Sequence, residues 1–251
     1  MTSCAYCGEN RTATKEHIWP SSIISKNKRM HTYNPRTDGF YIGDPVIRDV
    51  CADCNNEKLS PLDAYLSELY DRNFAKVIEP GESVQLAYSY ERLLRAILKI
   101  SYNSTRASGN SQSIAAHQRF VRYVLNGGHC GKLALRLQIV TSAKVINLAG
   151  GSDSALMPAA LRCAVLNYEG VLSHRFVVRL IGINSFWFYL VLSFKEEPDH
   201  KWRDFLQGFM AWATPSGVAI QPGSKSIEIP VEKTTYMHPR LLGHLLRAGS
   251  A

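Results

Sequence analysis

The chain has no apolar run long enough to cross a membrane and no tract of low complexity. A membrane-spanning helix needs about 20 consecutive apolar residues. The longest apolar stretch, residues 181–194, is interrupted by Gly182, Asn184 and Ser185 and predicts a strand. The first ten residues lack the basic and apolar regions of a signal peptide. Glycine-rich GxGxxG and P-loop motifs are also missing. We therefore expect a soluble, cytoplasmic protein without a membrane partner.

The composition is that of an ordinary globular protein. Of 251 residues, 45% are apolar and 10% aromatic, which excludes a disordered or collagen-like chain. The formal net charge is +8, but residues 1–80 carry a net charge of −1 and residues 81–251 a net charge of +9. Long-range attraction for a polyanion would therefore come mainly from the second part. The alternative is that a basic charge balance affects only solubility.

Four of the six cysteines stand in two closely spaced pairs. The pairs are Cys4-x2-Cys7 and Cys51-x2-Cys54. Two cysteines three positions apart in a tight turn can face one ion, and two such turns supply the four ligands of a tetrahedral zinc. Gly8 directly after the first pair permits a sharp turn of the chain. The spacing predicts a structural zinc site; disulfide bonding is the alternative, which a reducing cytosol disfavours.

A carboxylate and a histidine stand together between the two cysteine pairs. They are Glu16 and His17, in the segment TKEHIWP at residues 14–20, which is typical of a short strand that enters a loop. Consecutive strand side chains point to opposite faces. Both side chains can reach one site only if the backbone bends there, and Pro20 is consistent with such a bend.

These motifs together resemble the HNH endonucleases, also called ββα-metal or His-Me finger nucleases. The resemblance covers about residues 1–70 and is carried by Cys4-x2-Cys7, Glu16-His17-Ile18-x-Pro20 and Cys51-x2-Cys54-Asn55-Asn56-x-Lys58. It implies a β-hairpin followed by a helix, a zinc held by the two cysteine pairs, and one catalytic divalent ion in the groove between them.

The resemblance also implies a role for each matching residue. His17 matches the general base that deprotonates the attacking water, and Glu16 matches the acidic ligand of the catalytic ion. Asn55 matches the ligand at the start of the helix, with Asn56 as the adjacent alternative. Lys58 matches a basic residue that contacts a phosphate oxygen.

The chemistry of phosphodiester hydrolysis agrees with these residue types. Neutral imidazole, with a reference pKa of about 6.5, can accept a proton near pH 7. A hard cation held by carboxylate and amide oxygens would polarise the phosphate and neutralise the leaving oxygen. Zinc bound by four thiolates has no open position. We therefore expect two metals, structural Zn²⁺ and catalytic Mg²⁺ or Mn²⁺.

The rest of the chain reads as helices followed by strands. The period of apolar residues predicts helices at 61–77, 90–105 and 113–125. In the second of these, Arg92, Arg95, Lys99 and Arg106 are placed on the outer face, either as phosphate contacts or as a solvated surface. Residues 26–40 resemble an inserted polar loop. From residue 132 onward the pattern favours a mostly antiparallel sheet, with a short closing helix at 237–247.

We therefore expect an α+β protein of two parts. Residues 1–80 would form the zinc-stapled ββα nuclease module, and residues 81–251 a basic α+β domain that binds substrate, a second copy of the chain or a partner protein. The expected function is metal-dependent cleavage of DNA, or less expectedly RNA, in restriction, antiviral (phage) defence, recombination or a mobile element. The alternative is a non-catalytic zinc-binding module that docks nucleic acid or protein.

Overall fold

The structure, a computed structural model, describes residues 2–27, 31–34, 39–145, 154–156, 158, 161–213 and 217–230. The helix expected at 237–247 lies outside the described residues. The α-helices are α1 (Ser21–Lys26), α2 (Ser60–Leu69), α3 (Tyr90–Ser108), α4 (Ser111–Gln118), α5 (Val121–Asn126) and α6 (Asp199–Trp212). The strands are β1 (Thr2–Ser3), β2 (Asn10–Arg11), β3 (Ala13–His17), β4 (His31–Asn34), β5 (Gly39–Ile42), β6 (Val46–Cys51), β7 (Ser83–Ala87), β8 (Ala134–Ile139), β9 (Ala143–Val145), β10 (Ser154–Leu156), β11 (Leu161–Leu166), β12 (Phe176–Ile183), β13 (Phe186–Ser193), β14 (Val218–Ala219) and β15 (Ser226–Pro230).

The largest sheet has five antiparallel strands in the order β11-β12-β13-β8-β14. Its central strands β12 and β13 are buried along their whole length, so both faces of the sheet are covered. Alternate residues serve opposite faces. Ile181 and Phe188 join the core shared with the N-terminal part, whereas Leu180 and Tyr189 pack in a second cluster with Phe205 of α6. The prediction of an α+β chain with a mostly antiparallel sheet is confirmed at this level.

The N-terminal part contains a strand pair followed by a long helix. β3 pairs antiparallel with β6. The helix that follows has π-helical turns at Asp53–Leu59, continues as α2, and ends with π-helical turns at Tyr70–Phe74. The period of apolar residues predicted a helix from Pro61, and the resemblance placed Asn55 at the start of a helix; the chain is helical at both positions, without a break at Pro61. Pro61 is tolerated because it stands at the start of α2, directly after π-helical turns in which the Ser60 N–H bonds the Asn55 carbonyl five residues back.

The chain between β3 and β6 is more ordered than a polar loop. It contains α1, which buries Ile23 and Ile24, and the antiparallel pair β4–β5. The expectation of an inserted loop at residues 26–40 is wrong for the strand residues it includes.

One continuous cluster of buried side chains joins the two parts of the chain. It runs from Cys4 and Tyr6 near the N-terminus to Leu137 in β8, Phe188 in β13 and Ile229 in β15. The predicted division at residue 80 stays a prediction, but apolar packing is continuous across it. Among the described residues, no helix has the length and apolar character that a membrane span requires.

Candidate metal centre and adjoining strand pair

The two cysteine pairs come together at one point. The Sγ atoms of Cys4, Cys7, Cys51 and Cys54 all lie within 4.8 Å of one another, and the Sγ atoms of Cys7 and Cys51 are 3.8 Å apart. A tetrahedral zinc with bonds of about 2.3 Å holds its sulfur ligands roughly 3.8 Å from one another. All four cysteines are free thiols rather than disulfides. The cluster therefore fits a structural metal ion such as zinc.

Local backbone geometry builds this cluster. In the first turn the Gly8 N–H donates to the Cys4 carbonyl at 2.9 Å, and Gly8 has φ +78°, a conformation that glycine adopts without strain. The turn is tied to β6, because the Ala5 N–H donates to the Asp49 carbonyl at 2.8 Å. The second pair lies where β6 ends and the long helix begins, so Cys51 and Cys54 hold a strand–helix junction.

Cys4 and Cys54 differ in how readily their thiols ionise. Burial acts to raise the pKa of Cys4, but nearby backbone N–H groups, that of Cys51 foremost, lower it to about 7. Burial and the neighbouring sulfur atoms raise the pKa of Cys54 far above its usual value. Four adjacent thiolates repel one another, so all four can ionise only around a positive ion.

His17 lies at the end of β3 and reaches the surface. Its side chain is 25% exposed, and its Nδ1 lies 3.6 Å from the Asp44 carboxylate. This proximity has a local cause, because the Ile18 N–H donates to the Pro45 carbonyl at 3.0 Å and draws Asp44 alongside the strand end. At this distance the two groups make no hydrogen bond, and Nδ1 is buried without a hydrogen-bond partner among the described residues. Sequence reasoning missed Asp44, although it stands beside Pro45 just before β6.

Asn55 links the start of the long helix to β3. Its amide nitrogen donates to Thr14 Oγ1 and to the Lys15 carbonyl, both at 3.0 Å. The amide oxygen then remains to accept a bond or to ligate a cation. Asn56 and Lys58 are exposed on the same helical turns. The structure thus brings Asn55 to the strand that ends in His17 and leaves Asn56 and Lys58 accessible.

Glu16 does not share the side of His17. Its carboxylate is 2% exposed, and Oε1 accepts from Lys99 Nζ at 2.7 Å and from Asn103 Nδ2 at 3.0 Å. β3 has a register shift relative to β6 between Thr14 and Glu16, so the expected bend exists. It nevertheless leaves Glu16 facing the interior, because strand side chains alternate between faces after the bulge. The geometry therefore commits Glu16 to an ion pair, not to a shared ligand set with His17.

Lys99 sits between two carboxylates in the core. Its Nζ lies 2.6 Å from the nearer Asp63 oxygen in addition to its contact with Glu16. The expectation that Lys99 faces outward is wrong, as its residue is 0% exposed. Burial, partly offset by Lys99, raises the pKa of Glu16 above its usual value, and the Asp63 charge adds to this effect. A buried lysine between two acids holds α3 against β3 and α2.

Asn103 also attaches α3 to the N-terminal part of the chain. Its amide nitrogen also donates to the His17 carbonyl at 3.3 Å, and its oxygen accepts from Tyr6 Oη at 2.7 Å and from Arg106 at 2.6 Å. Arg106 in turn pairs with Asp49 of β6 at 2.6 Å. Arg106, which the sequence placed on an outer face, is therefore also buried and paired. These residues are far from the hairpin in sequence, and no local pattern indicated their role.

No family model, curated protein or solved structure matches the chain. The resemblance to HNH endonucleases therefore depends on the sequence motifs, of which the structure supports the clustering of the four cysteines.

Proposed function

We propose that the chain is a metal-dependent nuclease that hydrolyses phosphodiester bonds in DNA, with a structural zinc in the cysteine cluster. The observation that carries the proposal is the arrangement of β3, β6 and the start of the long helix around the cysteine cluster. A strand that ends in a surface histidine pairs with a second strand, a helix follows, and Asn55 of that helix is bonded to the first strand beside the four cysteines. This is the order of parts that the sequence motifs imply.

His17 would act as the general base. Its ring is partly exposed, so it can contact water, and imidazole is a side chain that accepts a proton in such reactions. Asn103 and the Ile18–Pro45 hydrogen bond both fix the peptide group that follows His17. Lys58, exposed on the helix, would contact a phosphate oxygen.

Asn55 and Asn56, with Asp44, would hold the hard cation. Glu16 would not bind this ion but would attach β3 to α3 through its ion pair with Lys99. Among the described residues the cysteines form the only cluster of three or more histidine, cysteine, aspartate or glutamate side chains that could hold one ion, so amide oxygens would have to complete a second site. Mg²⁺ and Mn²⁺ sites of this type need few protein ligands, because the ion keeps most of its water. When bound, such an ion supplies charge stabilisation at the phosphate and the leaving oxygen.

One observation favours the second candidate, a non-catalytic zinc module that docks nucleic acid or protein. Glu16, the acidic residue of the motif, is occupied by Lys99 and Asn103. If no other group replaces it as an ion ligand, the fold would remain but hydrolysis would not.

The test is cleavage of supercoiled plasmid by the zinc-replete full chain with Mg²⁺ or Mn²⁺. We expect His17→Ala to lower the nicking rate by about 10²–10⁴-fold, the usual contribution of a general base. His200→Ala, which removes an exposed histidine elsewhere, serves as the matched control and should cleave like the wild type. Equal activity of all three proteins would trace the cleavage to a contaminant. Inactivity of the wild type on supercoiled, linear, branched and single-stranded DNA would favour the docking module.

A further inference from the structure

An open groove of about 550 Å³ lies beside the far end of the long helix. Three parts of the chain meet there: the helix, the segment between β7 and α3, and the turn before β15. Its lining consists of Tyr65, Arg72, Ala87, Tyr88, Ser89, Tyr90, Gly223, Ser224 and Lys225. No residue of the proposed active site or of the cysteine cluster lines this groove.

The lining combines aromatic rings with positive charge. Three tyrosines and two cations line the groove, and no carboxylate does. Arg92 adds a third cation nearby, with its guanidinium 5.9 Å from the centre of the Tyr65 ring. The hydroxyl of Tyr88 is buried without a hydrogen-bond partner among the described residues. A groove without carboxylates disfavours a metal ion, and the cations disfavour an apolar ligand.

The frame of the groove is fixed by strand pairing. β15 pairs with β7, with Ser226 opposite Ala87, and the Tyr88 N–H extends the pairing by donating to the Lys225 carbonyl at 2.8 Å. On the other wall the Ser89 N–H donates to Tyr65 Oη at 2.8 Å. These bonds hold the Tyr65 ring and the turn in place without using the Lys225 ammonium group.

The cations remain available for a ligand. Lys225 is exposed at the turn. Arg72 pairs with Glu68 at 3.4 Å, but both side chains are about half exposed or more. Exposed pairs of this kind contribute at most about 1 kcal/mol, so a phosphate can replace the carboxylate.

We propose that this groove binds single-stranded nucleic acid, with a base against Tyr90 and phosphates at Arg72 and Lys225. Basic grooves with aromatic side chains bind single strands in this way, because every base has a π-face and every linkage a negative charge. The inference shares its ligand class with the proposed function, but binding here requires neither His17 nor a divalent ion.

The test is fluorescence anisotropy of the zinc-replete full chain without Mg²⁺ or Mn²⁺, in a His17→Ala background. The probes are labelled dT15, rU15 and a 15-base-pair duplex. We expect Arg72→Ala combined with Lys225→Ala to weaken single-strand binding at least tenfold. The slope of log Kd against log salt should fall by about 1.4, or roughly 0.7 per lost contact.

Substitution of Tyr90 separates stacking from charge. Tyr90→Leu should weaken single-strand binding about fivefold or more, and Tyr90→Phe should retain affinity, since stacking contributes about 1–3 kcal/mol per base. The Tyr90→Leu effect should be small on the duplex, in which the base faces are covered. Comparison of dT15 with rU15 decides which nucleic acid binds more tightly.

Arg122→Ala, an exposed arginine that does not line the groove, is the matched control. The proposal is overturned if the groove variants, with unchanged melting temperatures, bind both single strands like the parent. Equal weakening by Arg122→Ala also overturns it, because the attraction would then be nonspecific. Plasmid nicking by the wild type is measured in a separate experiment. If the groove variants lose single-strand binding but the wild type does not nick plasmid, the groove proposal stands and only the nuclease proposal is rejected.

Discussion

At the scale of single residues, the largest difference between expectation and structure is Lys99. A helical period assigns a charged residue to the outer face because burial of an unpaired ammonium is costly. Lys99 is buried nonetheless because Glu16, 83 positions earlier, and Asp63 compensate its charge. Such compensation depends on tertiary contacts, so no pattern within α3 can show it.

His117 shows how burial controls a titration. Its Nδ1 lies 2.7 Å from the Ser113 carbonyl, which can only accept, so Nδ1 carries the proton. Nε2 then accepts from Ser101 Oγ at 2.7 Å. The neutral ring is fully satisfied, and burial lowers the pKa of His117 to about 4.

This depressed pKa predicts a loss of stability in acid. Imidazole in the unfolded chain titrates near pH 6.5, so between about pH 6.5 and pH 4 only the unfolded chain takes up this proton. The stability that neutral His117 provides is complete above that range, falls by about 1.4 kcal/mol per pH unit within it, and falls no further below it. We therefore expect the free energy of unfolding to drop by about 2 kcal/mol more in the wild type than in His117→Gln between pH 7 and pH 5.

Urea denaturation of both proteins at pH 7, 6 and 5 checks this prediction. The variant controls for other acid effects, above all protonation of the cysteine cluster. Parallel pH profiles for the two proteins would show that His117 is not the cause.

At the scale of elements, the cysteine cluster joins the turn at Cys4–Gly8 to the strand–helix junction at Cys51–Cys54. Closed zinc sites contribute directly to folding because the ligands come together only in the folded chain. We expect the purified chain to contain about one zinc, as four cysteines fill one tetrahedral site. Cys54→Ser should lose the metal and melt at a lower temperature, whereas Cys130→Ser, outside the cluster, should keep it.

Elemental analysis and thermal melting measure both effects. Equal zinc content in wild type and Cys54→Ser would contradict the site. The site would also be contradicted if protein purified under reducing conditions contained no metal and had its four cysteines oxidised.

Local patterns predicted the elements better than their boundaries. The helix expected at 90–105 is α3, Tyr90–Ser108, because its apolar period is strong. The single helix expected at 113–125 is divided into α4 and α5. The cysteine cluster was predictable because metal ligands recur at fixed local spacing. The partners of Glu16 were not, since Asn103 approaches from 87 positions away.

At the scale of the whole molecule, α3 joins the strand pair to the rest of the chain. It contributes Lys99 to Glu16, Asn103 to Tyr6 and Arg106 to Asp49. Each of these bonds connects residues on opposite sides of the predicted boundary at residue 80. The apolar cluster that includes Leu94 and Ile97 also contains residues from both sides of this boundary. The strand pair that carries His17 therefore depends on the second part of the chain for its charge balance and its packing.

This dependence predicts that residues 1–80 do not fold on their own, even with zinc. Without residues 81–251, the fragment exposes the apolar surface of the shared cluster, including the Tyr6 ring that packs against Tyr102, and Glu16 loses both Lys99 and Asn103. A domain of about 80 residues has only a few kcal/mol of stability, so loss of this packing leaves it unfolded. We expect the zinc-loaded fragment to give poorly dispersed amide resonances and rapid proteolysis.

Substitutions of Lys99 and Glu16 in the full chain test the contribution of the ion pair separately. Lys99→Met should lower the free energy of unfolding by about 3–5 kcal/mol, and the double variant Lys99→Met with Glu16→Gln should recover at least half of that, because no buried carboxylate then remains at position 16. A well-dispersed, protease-resistant 1–80 fragment would show that the hairpin and its zinc are self-sufficient. In that case residues 1–80 would be an independent domain to which α3 is attached, as the sequence predicted.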